Sequence, residues 1–306
     1  MKKIKFLSFI IFLSFLSFSC QQKEKNHPEN EKLKVISSFS ILTDILKEVG
    51  KDSIEIHNLV PTGTDPHEYS PTPEDIKFAT KADLFVYNGL NLEGGNQGWF
   101  FKLFHSTQSD EKKLIKVAEN VKPLYLSGKE KEVNPHSFIS PVVGIEMAKS
   151  IANALISSDE KNADFYKENL TTYLEKLIKI EQKYQIEFSK IPIENRVFVS
   201  SEQAFQYLTT EYNLKEGFIW AVDTEENGSP DQIKKTIAFV KENKPPVLFV
   251  ESNVDIRPME TVSKETETPI YQPAIFSDEL GKPGAEADTY LKYLLYNLKH
   301  ISQGLQ

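Results

Sequence analysis

Two histidines and two carboxylates occupy matching places along this 306-residue chain. His67 and His136 each lie in a loop stiffened by prolines, PTGTDPHEYSPTPED (61–75) and NPHSFISP (134–141). Proline fixes φ and holds the residue before it extended, so both loops are built to present an imidazole in one place. Glu202 falls where the apolar run RVFVS (196–200) gives way to a helical pattern, and Asp278 follows IYQPAIF (270–276). Imidazole nitrogens and carboxylate oxygens ligate divalent transition metals, and two ionised carboxylates neutralise a dication. Four protein ligands would close the site, whereas metal catalysis keeps a position open beside a base or nucleophile. The chain carries no HExxH, no Ser-His-Asp arrangement and no phosphate-binding glycine loop. The expected chemistry is capture of a metal ion and not enzymatic turnover. A metallohydrolase is the alternative from a different class.

These residues need a frame, and the patterning supplies one. Residues 34–39 read as a strand, 40–49 as an amphipathic helix stopped by Gly50, and 53–60 as a second strand leading to His67. Thr72 and Pro73 open a helix, residues 83–88 form a buried strand, and Trp99 begins another helix. Alternating strands and helices predict a parallel sheet with crossover helices, which collects ligands beyond its strand C-termini. Residues 159–191 contain no glycine or proline and repeat apolar side chains at helical intervals. One helix there would span about 45 Å; a helix-turn-helix with a hidden break is the alternative. A second series follows, with strands at 196–200, 217–222 and 246–251, a helix capped by Ser229 and a closing helix at 287–301. The expected fold is α/β, with two lobes that each carry a mostly parallel sheet flanked by helices. One long rigid helix joins them, and the site lies in the cleft between. The lobes are placed at 34–158 and 192–306, the linking helix at 159–191.

The N-terminus differs. Three lysines precede an apolar stretch at 6–18, the pattern of an export signal over residues 1–19. It ends at Cys20, the only cysteine. A lone thiol forms no internal disulfide, and its expected use is a lipid anchor at the head of a polar tether, residues 20–33. Without residues 1–19 the chain holds 33 basic and 44 acidic residues, a net charge of −11. That balance argues against nucleic acid and suits a cationic ligand. Among other titratable residues, His57 is expected to pack or to be solvated, His105 and His300 to sit at the surface of helices or helix ends, and Glu68 to be solvated. Asp65, Asp83 and Asp288 read as caps or turns. Glu251 is either an acceptor orienting a ligand histidine or a satisfied cleft-edge carboxylate. Tyr290, Tyr293 and Tyr296 read as core.

The motifs DPHEYSPTPED (65–75), NPHSFISP (134–141), SSEQAFQYL (200–208), DTEENGSPDQI (223–233), LFVESNVDIRPM (248–259) and IFSDEL (275–280) occur in this order. In them the chain resembles the manganese- and zinc-type solute-binding lipoproteins of ABC transporters, similar to the streptococcal surface-adhesin lipoproteins. The resemblance implies a monomeric extracytoplasmic receptor, lipid-anchored to a bacterial cell membrane. It implies ligand roles for His67, His136, Glu202 and Asp278 around one divalent ion, which is passed to an ABC permease for import. Zinc-type members commonly carry histidine at the third ligand position and a histidine-rich loop after the first. Here the third is Glu202, and residues 121–133 hold no histidine, which favours Mn(II) over Zn(II) or Fe(II). Hard carboxylate oxygens point the same way, although zinc competes well at most such sites. The chain departs from the pattern at Gln203, where many members have a small residue, and in extra residues around GGNQGWF (94–100). An adhesin role is a further alternative.

Overall fold

The structure, a computed structural model, describes residues 32–128, 131–222 and 228–306. The expected export signal, Cys20 and all but the end of the tether lie outside the described residues, as does part of the DTEENGSPDQI motif.

The first half builds a four-stranded sheet. Strand β1 (Leu33–Ser37) leads through helix α1 (Ser40–Gly50) to β2 (Ile54–Asn58). Then come α2 (Pro73–Ala79), β3 (Leu84–Tyr87), α3 (Trp99–Ser106) and β4 (Leu114–Lys116). The order is β2-β1-β3-β4 and every pairing is parallel. Helix α2 starts as its sequence dictates: Thr72 and Asp75 form a capping box behind Pro73. All four strands end at the same edge, so the connections beyond them gather there.

Two helices follow, α4 (Pro141–Ser158) and α5 (Ala163–Ser189). The second runs unbroken for 27 residues, about 40 Å at the standard rise. Its buried side chains are Tyr166, Tyr173, Leu177, Ile180, Tyr184 and Phe188, one stripe at helical spacing. That stripe packs on α1, α4 and the closing helix α9 (Tyr290–Leu305).

The second half has a smaller sheet. Strand β5 (Val197–Glu202) precedes α6 (Gln206–Glu211) and pairs in parallel with β6 (Lys215–Trp220). Helices α7 (Pro230–Asn243) and α8 (Arg257–Thr266) follow. The strand expected at 246–251 is extended alongside β5 but joins by single bonds: Phe249 N–H donates to the Val199 carbonyl at 2.8 Å. Isolated bridges Leu248–Ile270 and Glu251–Ile275 continue it outward.

One hydrophobic cluster runs from Val35 through α5 to Phe198, Phe205, Phe249 and Leu305, and so belongs to both halves. A separate cluster covers the outer face of the second sheet and includes Val197 and Val199. Side chains alternate across a strand. Phe198 therefore turns to the shared core, and Glu202, four residues on, lies on the same face.

Candidate metal centre

His67 and His136 stand in the same local structure. Each ends an Asx-Pro-His triplet whose first side chain accepts the histidine backbone N–H: Asp65 Oδ1 from His67 at 2.7 Å, Asn134 Oδ1 from His136 at 3.0 Å. Such turns form because a short polar side chain can replace a backbone acceptor two residues on. The Trp99 indole N–H then fixes the first loop through the Pro66 carbonyl at 2.9 Å. The glycine-rich stretch before Trp99 thus bears on the rim of the His67 loop.

Asn134 also sets the chemistry of His136. Its Oδ1 lies 2.8 Å from His136 Nδ1, while its Nδ2 donates to the Gln203 carbonyl at 2.7 Å and Gln206 Oε1 at 3.1 Å. An amide oxygen only accepts, so Nδ1 carries the proton and Nε2 presents its lone pair. Burial, then the nearby His67 ring, holds the His136 pKa well below its usual value. This imidazole is neutral and ready to bind a cation. His67 Nε2 is 3.1 Å from His136 Nε2.

The carboxylates come from the second half. Glu202 closes β5 and is fully buried. Its Oε1 lies 3.5 Å from His136 Nε2. Asp278 Oδ1 lies 3.3 Å from the same nitrogen, is buried and has no hydrogen-bond partner. Its other oxygen accepts from Asn253 Nδ2 at 3.3 Å and Ser277 Oγ at 3.2 Å. Burial raises the Asp278 pKa. His67, His136 and Glu202 offer ligand atoms within 4.8 Å of one another, and Asp278 joins through His136. Atoms bound about 2.0–2.2 Å from one ion lie at most about 4.4 Å apart, so a small inward adjustment encloses a cation.

The structure brings all four sequence-identified residues to one place, between the ends of the two sheets. It corrects one other reading and decides between the two offered for Glu251. His300 is not at the surface: it is 5% exposed and within 3.1 Å of the Tyr271 hydroxyl, because α9 runs on to Leu305 and turns this residue inward. Glu251 orients no histidine. Its two oxygens accept the backbone N–H groups of Glu202 at 2.9 Å and Ser201 at 3.1 Å, fixing the end of β5. Burial pushes its carboxyl up to about 7. His57 pairs with Asp75 at 2.6 Å and stacks on Phe78, away from the centre.

Sequence reasoning missed the braces. The Tyr290 hydroxyl donates to the Phe138 carbonyl at 2.6 Å, and that of Tyr293 to the Ser277 carbonyl at 2.8 Å. One helix thereby holds the chain beside both His136 and Asp278. Gly144 makes room: a Cβ there would stand 2.4 Å from the Tyr290 hydroxyl. Helical spacing alone marked these tyrosines as core, and the missing signal was that a buried phenol needs a polar partner. Glu93 was also passed over. It is buried and accepts from Ser38 Oγ at 2.8 Å and Asn88 N–H at 2.7 Å. Asn88 in turn holds the Pro135 carbonyl at 3.0 Å.

Residues 35–304 match the zinc-uptake complex component A periplasmic family. The manganese ABC transporter substrate-binding lipoprotein PsaA of Streptococcus pneumoniae is 42% identical over 309 residues, covering 100% of this chain and 99% of its own. The metal ABC transporter substrate-binding lipoprotein FimA of Streptococcus parasanguinis is 45% identical over 277 residues, 90% of this chain and 89% of its own. Among solved structures, a manganese-bound periplasmic metal-binding protein from Candidatus Liberibacter asiaticus superposes with a TM-score of 0.81 at 30% identity, covering 90% of this chain and 100% of that one. The periplasmic zinc-binding protein TroA of Treponema pallidum shares the fold, with a TM-score of 0.81 at 24% identity over 90% of this chain and 99% of that one. The chain therefore belongs to the family of periplasmic zinc-uptake complex component A proteins, the substrate-binding lipoproteins of metal ABC transporters.

Proposed function

We propose that this protein captures one divalent transition-metal ion between its two halves, His67, His136, Glu202 and Asp278 being the ligands, and delivers it to an ABC permease for import. The observation that carries the reading is the convergence of two imidazoles and two carboxylates, three of the four side chains buried, around one point. Burying two carboxylates with no cation nearby is unfavourable. Asp278, raised in pKa and with one oxygen bare of hydrogen bonds, fits a ligand awaiting its ion. Manganese is the favoured cargo, since half the donor set is hard oxygen and several relatives are named for manganese. Zinc is the second reading: the family is named for it, and it outranks manganese at most nitrogen and oxygen sites. In this proposal Cys20 carries a lipid that holds the receptor on the extracytoplasmic face of the membrane. Residues 34–158 and 192–306 act as the lobes, and 159–191 as the rigid helix between them. Among the described residues no helix is long and apolar enough to cross a membrane.

The test is calorimetry on chelator-stripped protein with manganese and zinc in parallel. The reading expects one manganese per chain bound tightly, whether or not zinc binds too. Zinc binding with no manganese binding would transfer the assignment to zinc, and no binding of either metal would end it.

A further inference from the structure

Beyond the four candidate ligands, one buried side chain ties the two halves together beside them. Gln203 follows Glu202 directly and is 1% exposed. Its Oε1 accepts the Ser127 backbone N–H at 2.9 Å, and its Nε2 donates to Ser127 Oγ at 2.8 Å and to Glu216 Oε2 at 3.2 Å. A primary amide has one oxygen acceptor and two N–H donors, so every polar function of this side chain is engaged in this one orientation. Its backbone carbonyl accepts from Asn134 Nδ2, and the same Asn134 fixes the His136 ring through Oδ1. The chain arm holding Ser127 and Asn134 belongs to the first half. It is also tied to the second half through Tyr207, whose hydroxyl accepts from the Leu124 N–H at 3.0 Å and donates to the Asn134 carbonyl at 3.0 Å.

An ion is held less firmly when His136 and Glu202 move apart, because each supplies a donor atom. A short path already joins them: Glu202, the Gln203 backbone carbonyl, Asn134 and His136, with the Gln203 side chain pinning the same arm at Ser127. We propose that Gln203 is a positioning residue that clips the first-half arm to the end of β5 and so sets the rate at which the bound metal leaves. It touches no metal. It acts by holding the 3.5 Å spacing of His136 Nε2 and Glu202 Oε1. The inference rests on the metal-capture reading above.

The test measures manganese dissociation from the purified chain after mixing with excess chelator. In Gln203→Ala the off-rate should rise about tenfold, as expected for the loss of its two hydrogen bonds to Ser127. The on-rate should stay within about twofold, and the stoichiometry should be unchanged. Ser127→Ala lies at an exposed position that tolerates truncation, and should raise the off-rate about threefold. The double variant should release no faster than Gln203→Ala alone, because both changes cut the same link. Residues acting independently would give about thirtyfold. If Gln203→Ala fails to fold, Ser127→Ala still reads the same link. Off-rates within about twofold of wild type in the variants that fold, or multiplicative effects in the double variant, would overturn the inference while leaving metal capture intact. A wild-type chain that binds neither manganese nor zinc would instead overturn both.

Discussion

The two halves furnish the centre in opposite ways. The first presents imidazoles on proline-fixed turns outside its sheet, and His67 remains partly exposed. The second presents carboxylates at or beyond the strand ends of a smaller sheet, Glu202 fully buried and Asp278 2% exposed. The difference follows from charge. An imidazole costs little to place at a wet rim, where a turn and one indole hold it. An ionised carboxylate withdrawn from water costs several kcal/mol unless it is paired, and here each is braced by polar neighbours: Glu251 through the Glu202 peptide, Asn253 and Ser277 on Asp278. The rim residues supply access, and the buried carboxylates supply the attraction.

Removing a buried carboxylate should have the largest effect. Asp278→Asn is expected to weaken manganese binding about a hundredfold, ~2.7 kcal/mol, while raising the melting temperature of the metal-free protein, because a strained buried acid is gone. Calorimetry and thermal melts read the two halves of this prediction. A metal-free protein less stable than wild type would show that Asp278 is not strained. His67→Ala should cost about tenfold in affinity and leave the melting temperature nearly unchanged, as suits a rim residue.

The pH dependence separates the halves further. Glu251 and Asp278 have folded-state pKa values above their ordinary ones. The fold therefore holds protons that the unfolded chain releases, so each contribution is complete below the ordinary value, 3.8 for Asp278 and 4.5 for Glu251, and is lost as pH rises. For Glu251 that loss ends near pH 7. Metal-free protein should lose stability across this interval, by on the order of 3 kcal/mol for Glu251 alone. His136 is depressed and behaves oppositely: its contribution is present above about 6.5 and is lost only below. Denaturant melts of wild-type and Glu251→Gln protein from pH 4.5 to 7.5 separate this carboxyl from His136: wild-type stability should fall relative to the variant as pH rises, and a relative rise would refute the strained-acid account. The smallest effect belongs to His57→Gln. It should cost about 1 kcal/mol of stability through the Asp75 bond and leave metal affinity within twofold.

Much of this was legible in the sequence because local chemistry dictated it. Proline-fixed loops marked His67 and His136, the Thr72 and Ser229 capping boxes marked their helices, and the glycine-free stripe marked α5. The stretch at 246–251 was read as a strand and makes only isolated bridges, because an apolar run does not reveal how many ladder bonds it will make. His300 was misplaced because a single histidine near a helix end carries no signal of which face it lies on. The braces from Tyr290 and Glu93 depend on contacts 152 and 55 residues apart in the chain, which no spacing rule reaches. Asn134 is the exception. It stands two residues before His136, a spacing that announces an Asx-type turn.

The central claim is that two imidazoles from one half and two carboxylates from the other meet on a single ion. X-ray absorption spectroscopy of the manganese-loaded protein tests it most directly, because imidazole rings give a distinct outer-shell signal. The account predicts two imidazoles with the remaining ligands oxygen, falling to one imidazole in His67→Ala. A spectrum with no imidazole signal, or one unchanged by His67→Ala, would contradict it.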